Sequence, residues 1–196
     1  MARPVIWIAR RLSDATLARA ERDYDIIVNH DDIPYNSDDI IAMSGQVDGM
    51  IACHSEHFSA AIVDALDPRL KIVANYSVGT DHCDLPAFAA RGIAVTNTPD
   101  VLSDATAEIS LLLMLGAARR AVEGDRMVRT GAWDFWSPSF MVGKQVTGQR
   151  LGIVGMGRIG EAVARRARGF GLSVHYHNRK SVHPETEAEL EATYWE

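Results

Sequence analysis

The stretch LGIVGMGRIG, residues 151–160, decides how this chain is read. Leu-Gly-Ile-Val has the apolar run of a short buried strand. It passes directly into Gly155-Met-Gly157-Arg-Ile-Gly160, a G-x-G-x-x-G turn. Each glycine answers a separate steric demand. The first permits a sharp reversal, the second lets backbone approach a pyrophosphate, and the third lets the next helix pack closely on the strand. A helix starting near Arg158 then turns its free N–H groups and positive dipole end toward the phosphates.

Glycine-rich turns are common, so the flanks carry the weight. Ile159, Ala162, Val163, Ala167 and Phe170 recur at helical spacing and form one apolar face. Gly171 ends that helix, and Ser173-Val-His-Tyr-His177 alternates as a strand does. Asn178 follows, where a dinucleotide fold places the group that reads the adenosine ribose. An acid there would bond the 2′-hydroxyl of NAD and repel a 2′-phosphate. Asn178-Arg179-Lys180 offers an amide and two cations instead, which favours NADP over NAD. Two plainer readings stand beside these: a turn that serves only strand–helix packing, and two solvated loop charges.

The 196 residues can hold one large domain or two small ones and bury a substantial core. Apolar and charged shares of 47% and 23% are those of a soluble globular protein. A net charge of −6 leaves no broad basic surface, so nucleic acid is not an expected partner. The two cysteines, Cys53 and Cys83, indicate no disulfide framework and suit a reducing cytoplasm. The apolar run before Arg10-Arg11 is too short for a signal peptide, and the apolar run 109–118 is too short to span a bilayer. No membrane association is expected.

Residues 1–100 alternate strand-like and helix-like segments. Strands are expected over 5–9, 25–28, 49–53, 71–74 and 93–96, with helices over 13–22, 37–44, 59–66 and 85–91. Ser13, Ser37 and Ser59 are the expected N-caps, and Gly92 the stop of the last helix. This alternation predicts an α/β fold with a parallel sheet covered on both faces. Ligand-facing loops then follow the strand C-termini, among them Asn75-Tyr-Ser-Val-Gly-Thr-Asp81. Asn97-Thr-Pro99-Asp reads as a crossing between domains. A long helix capped by Ser103 or Asp104 and running to about 130 follows. It is apolar nearly all round from 109 to 115, so it is expected to be buried between domains or subunits. Trp133, Phe135, Trp136 and Phe140 lie on an irregular segment and pack either on a second subunit or back on their own domain.

With these motifs in place, the chain resembles the D-isomer-specific 2-hydroxyacid dehydrogenases, in particular their glyoxylate and hydroxypyruvate reductase branch. The resemblance rests on Tyr76-Ser-Val-Gly-Thr-Asp-His82, Arg91-Gly-Ile, Asn97-Thr-Pro99, Leu102-Ser-Asp-Ala-Thr-Ala-Glu108, residues 151–160 and Tyr176-His-Asn-Arg179. It implies a flavodoxin/Rossmann-like parallel-sheet substrate domain over 1–100. An incomplete Rossmann dinucleotide-binding domain over 101–196 follows it. It implies that Val78 and Gly79 offer backbone N–H groups to a substrate carboxylate, and that Thr106 meets the cofactor near its nicotinamide. Gly155, Gly157, Arg158, Ile159 and Gly160 would cradle the pyrophosphate, and Asn178, Arg179 and Lys180 the adenosine phosphate. The family also implies a homodimer built on the long helix and the aromatic segment.

The catalytic arginine, glutamate and histidine that the resemblance implies fall outside the residues present. The expectation is therefore the N-terminal part of a longer NADP-dependent enzyme for small 2-oxo or 2-hydroxy acids. This chain is expected to be inactive by itself, with no catalytic residue of its own. His54, His57 and His82 follow predicted strands, and Cys53-His54-x-x-His57 has some look of a metal site. No fourth ligand is evident, so these residues are taken as structural or cleft-lining, with no metal. The alternatives to an enzyme are a non-catalytic dinucleotide sensor like the corepressors of this fold, and a truncated product without a stable fold.

Overall fold

The structure, a computed structural model, describes residues 2–196. The chain forms two compact units, Met1–Val101 and Leu102–Glu196.

In the first unit β1 (Val5–Ile8), β2 (Asp25–Val28), β3 (Gly49–Ala52), β4 (Ile72–Asn75) and β5 (Ala94–Thr96) form one parallel sheet in the order β2-β1-β3-β4-β5. That is the flavodoxin-like order. Four helices alternate with these strands: α1 (Asp14–Asp23), α2 (Ser37–Ser44), α3 (Ala60–Ala65) and α4 (Leu85–Ala90). Trp7, Met50, Val73 and Val95 stand side by side in register across the sheet. Ile40 of α2, Val63 of α3 and Phe88 of α4 complete the core on that face.

The opposite face differs from the expectation of full coverage. Ile6, Ile51 and Ile72 are only half-buried there, and α1 buries no residue. Right-handed crossovers explain this. Only the β1-to-β2 step moves toward that edge, so only α1 is carried to the second face. Ser13 caps α1 as expected, accepting from Thr16 N. The cap of α2 is Asn36 rather than Ser37, with Asp39 completing a capping box. Ser59 occupies its cap position without a side-chain bond.

The second unit has α5 (Ser103–Ala118), α6 (Ala121–Arg129), β6 (Arg150–Val154), α7 (Arg158–Ala167), β7 (Ser173–His177), α8 (Pro184–Leu190) and β8 (Ala192–Tyr194). The three strands are parallel in the order β6-β7-β8. Val174, Tyr176 and Leu190 pack with Met156 and Ala164, while Leu111 of α5 packs with Ala167 and Leu172. Arg166 of α7 also binds Asp104 of α5 at 2.8 Å.

Two expectations for this unit need correction. The long helix is two helices, because the chain breaks at Arg119-Arg120, with Arg120 left-handed at φ 54°. The cause is tertiary. Lys144 N donates to Ala118 O at 2.7 Å, and a Cβ on Gly143 would lie 2.6 Å from the same oxygen, so a returning segment takes that carbonyl from the helix. Neither Ser103 nor Asp104 caps α5. Leu102 stands at the cap without a side-chain bond, and Asp104 serves the ion pair with Arg166. Within this unit α5 is only partly enclosed. Ala107 and Leu111 are buried, but Ile109, Leu112 and Leu113 are 55%, 63% and 66% exposed, because α7 covers one side only. Trp133, Phe135, Trp136 and Phe140 are exposed too, Phe135 and Trp136 most of all.

Candidate functional site

Strand β6 delivers its chain end to the glycine turn. Gly155 turns at φ 103°, a conformation that side chains resist, and its N–H donates to His177 O at 3.0 Å. Gly160 is buried beneath that turn, and a Cβ there would collide with the Gly155 carbonyl oxygen. Gly157 caps α7 with no side chain of its own, and a Cβ there would meet nothing within 4 Å. The first turn of α7 therefore opens onto a space that backbone can enter.

That space is a wide, open cavity of about 920 Å³ lined by Val154, Gly155, Met156, Gly157, His177, Asn178, Arg179 and Lys180. Five of the expected site residues are thus on one wall: Gly155, Gly157, Asn178, Arg179 and Lys180. Arg158 and Ile159 begin α7 beside it, Arg158 exposed and Ile159 half-buried. Gly160 acts from below, as a packing glycine. Thr106, half-buried in the first turn of α5, is not among the lining residues. Among the described residues no acidic side chain lines this cavity, and Arg179 and Lys180 are both exposed. A polyanion with a backbone-binding end and a second, cation-binding end fits these residues.

Sequence reasoning missed the wiring of this wall. The Asn178 carboxamide accepts from Met156 N at 2.6 Å and donates to Met156 O at 3.3 Å. Tyr194 Oη donates to Asn178 O at 3.1 Å. The buried Tyr176 hydroxyl accepts from Val182 N at 2.9 Å and donates to Glu187. Two tyrosines therefore pin both ends of the loop that carries Arg179 and Lys180. The aromatic alternation in Tyr176 and Tyr194 was the available signal, but aromatics in strands usually mean core.

In the first unit the loop after β4 holds Val78 and Gly79. Asn97 Nδ2 donates to Val78 O at 2.8 Å, and Ser77 Oγ donates to Gly79 O at 2.7 Å. With those carbonyls held, the trans peptide turns the Gly79 N–H the other way. Among the described residues neither the Val78 nor the Gly79 N–H donates to another protein group. Two neighbouring backbone N–H groups are thereby left available on this loop.

Beside that loop lies a polar cluster at the strand C-termini. His82 Nε2 meets Asn75 Oδ1 at 3.0 Å, and its ring stands 6.5 Å from that of His57. Burial first, then the neighbouring His57 and His54, push the His82 pKa below the ordinary imidazole value. Glu56 is fully buried and accepts from Cys53 N and Ser55 Oγ, both at 2.8 Å. Arg10 bonds Ser55 and Asp32, and the Arg10 guanidinium with the Arg11 N–H brings the Asp32 pKa down to about 2. Among the described residues, no set of three His, Cys, Asp or Glu side chains is arranged to hold a metal, and no helix is long and apolar enough to cross a membrane.

Comparison with known proteins agrees with this geometry. Residues 111–196 match the family described as D-isomer specific 2-hydroxyacid dehydrogenase, NAD binding domain. The chain is 39% identical over 194 residues to a glycerate dehydrogenase of Hyphomicrobium methylovorum, covering 99% of this chain and 60% of that protein. It is 41% identical over 196 residues to a glyoxylate reductase of Thermococcus kodakarensis, covering 98% and 58% respectively. A crystal structure from Polaromonas sp., described as a D-isomer specific 2-hydroxyacid dehydrogenase, superimposes with a TM-score of 0.89 at 42% identity, over 100% of this chain and 60% of that one. The chain thus spans about 60% of the length of the relatives it matches. In the matched NAD-binding segment, in sequence identity and in fold, the chain is similar to the D-isomer-specific 2-hydroxyacid dehydrogenases.

Proposed function

We propose that this chain forms the cofactor-adenosine and substrate-carboxylate ends of an NADPH-dependent reductase. Its substrate would be a small 2-oxo acid such as glyoxylate or hydroxypyruvate, reduced to the D-2-hydroxy acid. The observation that carries this reading is the cavity at the glycine turn, with Arg179 and Lys180 on its wall and no acid there. The turn and the α7 N-terminus bind the pyrophosphate, and the two cations bind the 2′-phosphate. When bound, the cofactor supplies the hydride. The Val78 and Gly79 N–H groups hold the substrate carboxylate, and Thr106 meets the nicotinamide end. Residues 1–100 then form the substrate domain and 101–196 the cofactor domain.

These residues bind and orient, but none is placed to move a proton. The resemblance implies that the catalytic arginine, glutamate and histidine fall outside these 196 residues. Losing general acid catalysis alone costs about 10²–10⁴-fold, so this chain alone is proposed to be inactive. The non-catalytic sensor is not favoured, since the named relatives are dehydrogenases and reductases. The exposed faces of α5 and α6 with the aromatic segment are proposed to be covered by a second copy in a homodimer. The two free thiols suit a cytoplasmic protein.

Calorimetric titration with NADP and NAD, beside an assay of NADPH oxidation by glyoxylate, tests the reading. Tighter NADP binding without turnover is expected. Equal affinities refute the cofactor assignment, and ordinary dehydrogenase turnover by this chain refutes the catalytic one.

A further inference from the structure

The Asn178 side chain makes a pair of bonds usually made by backbone. Val154 and His177 are the last register pair of the parallel β6–β7 ladder, and Gly155 N donates to His177 O just beyond it. One residue further, the Asn178 carboxamide takes over. Its Oδ1 accepts from Met156 N at 2.6 Å and its Nδ2 donates to Met156 O at 3.3 Å, so an amide side chain stands in for the next peptide. Met156 is the middle residue of Gly155-Met156-Gly157, with its side chain buried and its backbone in the cavity wall. Both faces of that residue's peptide chemistry are thereby fixed by a single side chain.

From this we infer that Asn178 is a positioning residue. It clamps the glycine turn in its phosphate-receiving form and leaves the choice between 2′-hydroxyl and 2′-phosphate to Arg179 and Lys180. The inference rests on the dinucleotide reading above and deepens it. Oδ1 and Nδ2 each make a bond to Met156, so the orientation of the carboxamide is set by the turn. Asparagine also suits the clamp better than aspartate. A carboxylate would still accept from Met156 N, but its second oxygen would face the Met156 carbonyl oxygen, acceptor against acceptor. The loop is steadied from the far side by Tyr194 Oη on Asn178 O, so the clamp and the two cations share one rigid support.

The consequence runs against the usual logic of cofactor exchange. Placing an acid at the end of this strand should not convert the protein to NAD. It should loosen the turn and weaken both dinucleotides.

The test compares the unmutated chain with Asn178→Ala, Asn178→Asp and Arg179→Ala. It measures NADP and NAD affinity by calorimetry and hydrogen exchange of the Met156 amide by NMR. Asn178→Ala is expected to weaken NADP and NAD by a common factor of about tenfold, as two lost hydrogen bonds imply, and to speed Met156 exchange. Asn178→Asp is expected to weaken both cofactors and to raise affinity for neither. Arg179→Ala is expected to weaken NADP alone and to leave Met156 exchange unchanged. A selective loss of NADP in Asn178→Ala, or a gain of NAD affinity in Asn178→Asp, overturns the inference. If the unmutated chain binds neither dinucleotide, the functional reading falls. The clamp is then judged on Met156 exchange, and unchanged exchange in Asn178→Ala overturns it.

Discussion

Adding one methyl group at Gly160 should lower both stability and binding, whereas one at Gly157 should lower binding alone. At Gly160 the new Cβ would collide with the Gly155 carbonyl oxygen and come within 3.4 Å of Ile153 Cγ2. The oxygen is backbone and cannot rotate aside, so the turn or α7 must shift. Overpacking of this kind costs about 1–3 kcal/mol. For a unit of this size that is a drop of roughly 5–20 °C in its melting temperature. Affinity for any dinucleotide should fall with it, because the displaced turn is itself the phosphate seat. At Gly157 the new Cβ meets nothing within 4 Å, and φ is −99°, which alanine adopts freely. The fold should lose no more than about 1 kcal/mol through the poorer helix cap. The methyl would nevertheless stand at the mouth of the cavity, so binding should weaken while melting barely moves. Scanning calorimetry and dinucleotide titration on both variants separate the two effects. A Gly160→Ala protein that melts and binds as the unmutated chain does would refute the close-packing argument.

Other consequences follow from particular contacts. Arg179→Ala should weaken NADP by about 10–100-fold, the value of a charge-assisted contact, and leave NAD unchanged in the same titration. Light scattering should show a dimer that dissociates when Trp133 and Trp136 are both changed to aspartate, since both lie exposed on the apolar surface. NMR titration should place the His82 pKa below the ordinary value of about 6.5. A depressed pKa means that the unfolded chain binds the proton more readily. The His82 contribution to stability is therefore present above pH ~6.5 and lost as pH falls toward its folded value.

Much of the fold was legible because its signals are local. The strand ending at Val154, the turn at Gly155 and the helix from Arg158 follow from apolar runs and glycine spacing alone. The misread features depend on contacts between distant segments. The break at Arg120 is made by Lys144 and Gly143 reaching back to Ala118, which no helical period records. The thin cover on the second face of the first sheet follows from strand order, which alternation of elements does not fix. At the site, the residue types were readable but their wiring was not. Asn178 read as a ligand group because of its position, and nothing in the residue pattern signalled its bonds to the backbone of Met156.

The most direct test of the central claim is a map of amide chemical shifts as NADP is added to the isotopically labelled chain. The account predicts that the largest changes fall on Gly155, Met156, Gly157 and Arg158, the turn and helix start, and on Arg179 and Lys180. The Arg179 and Lys180 changes should be absent when NAD is added instead. Shifts centred elsewhere, or none at saturating NADP, would contradict it.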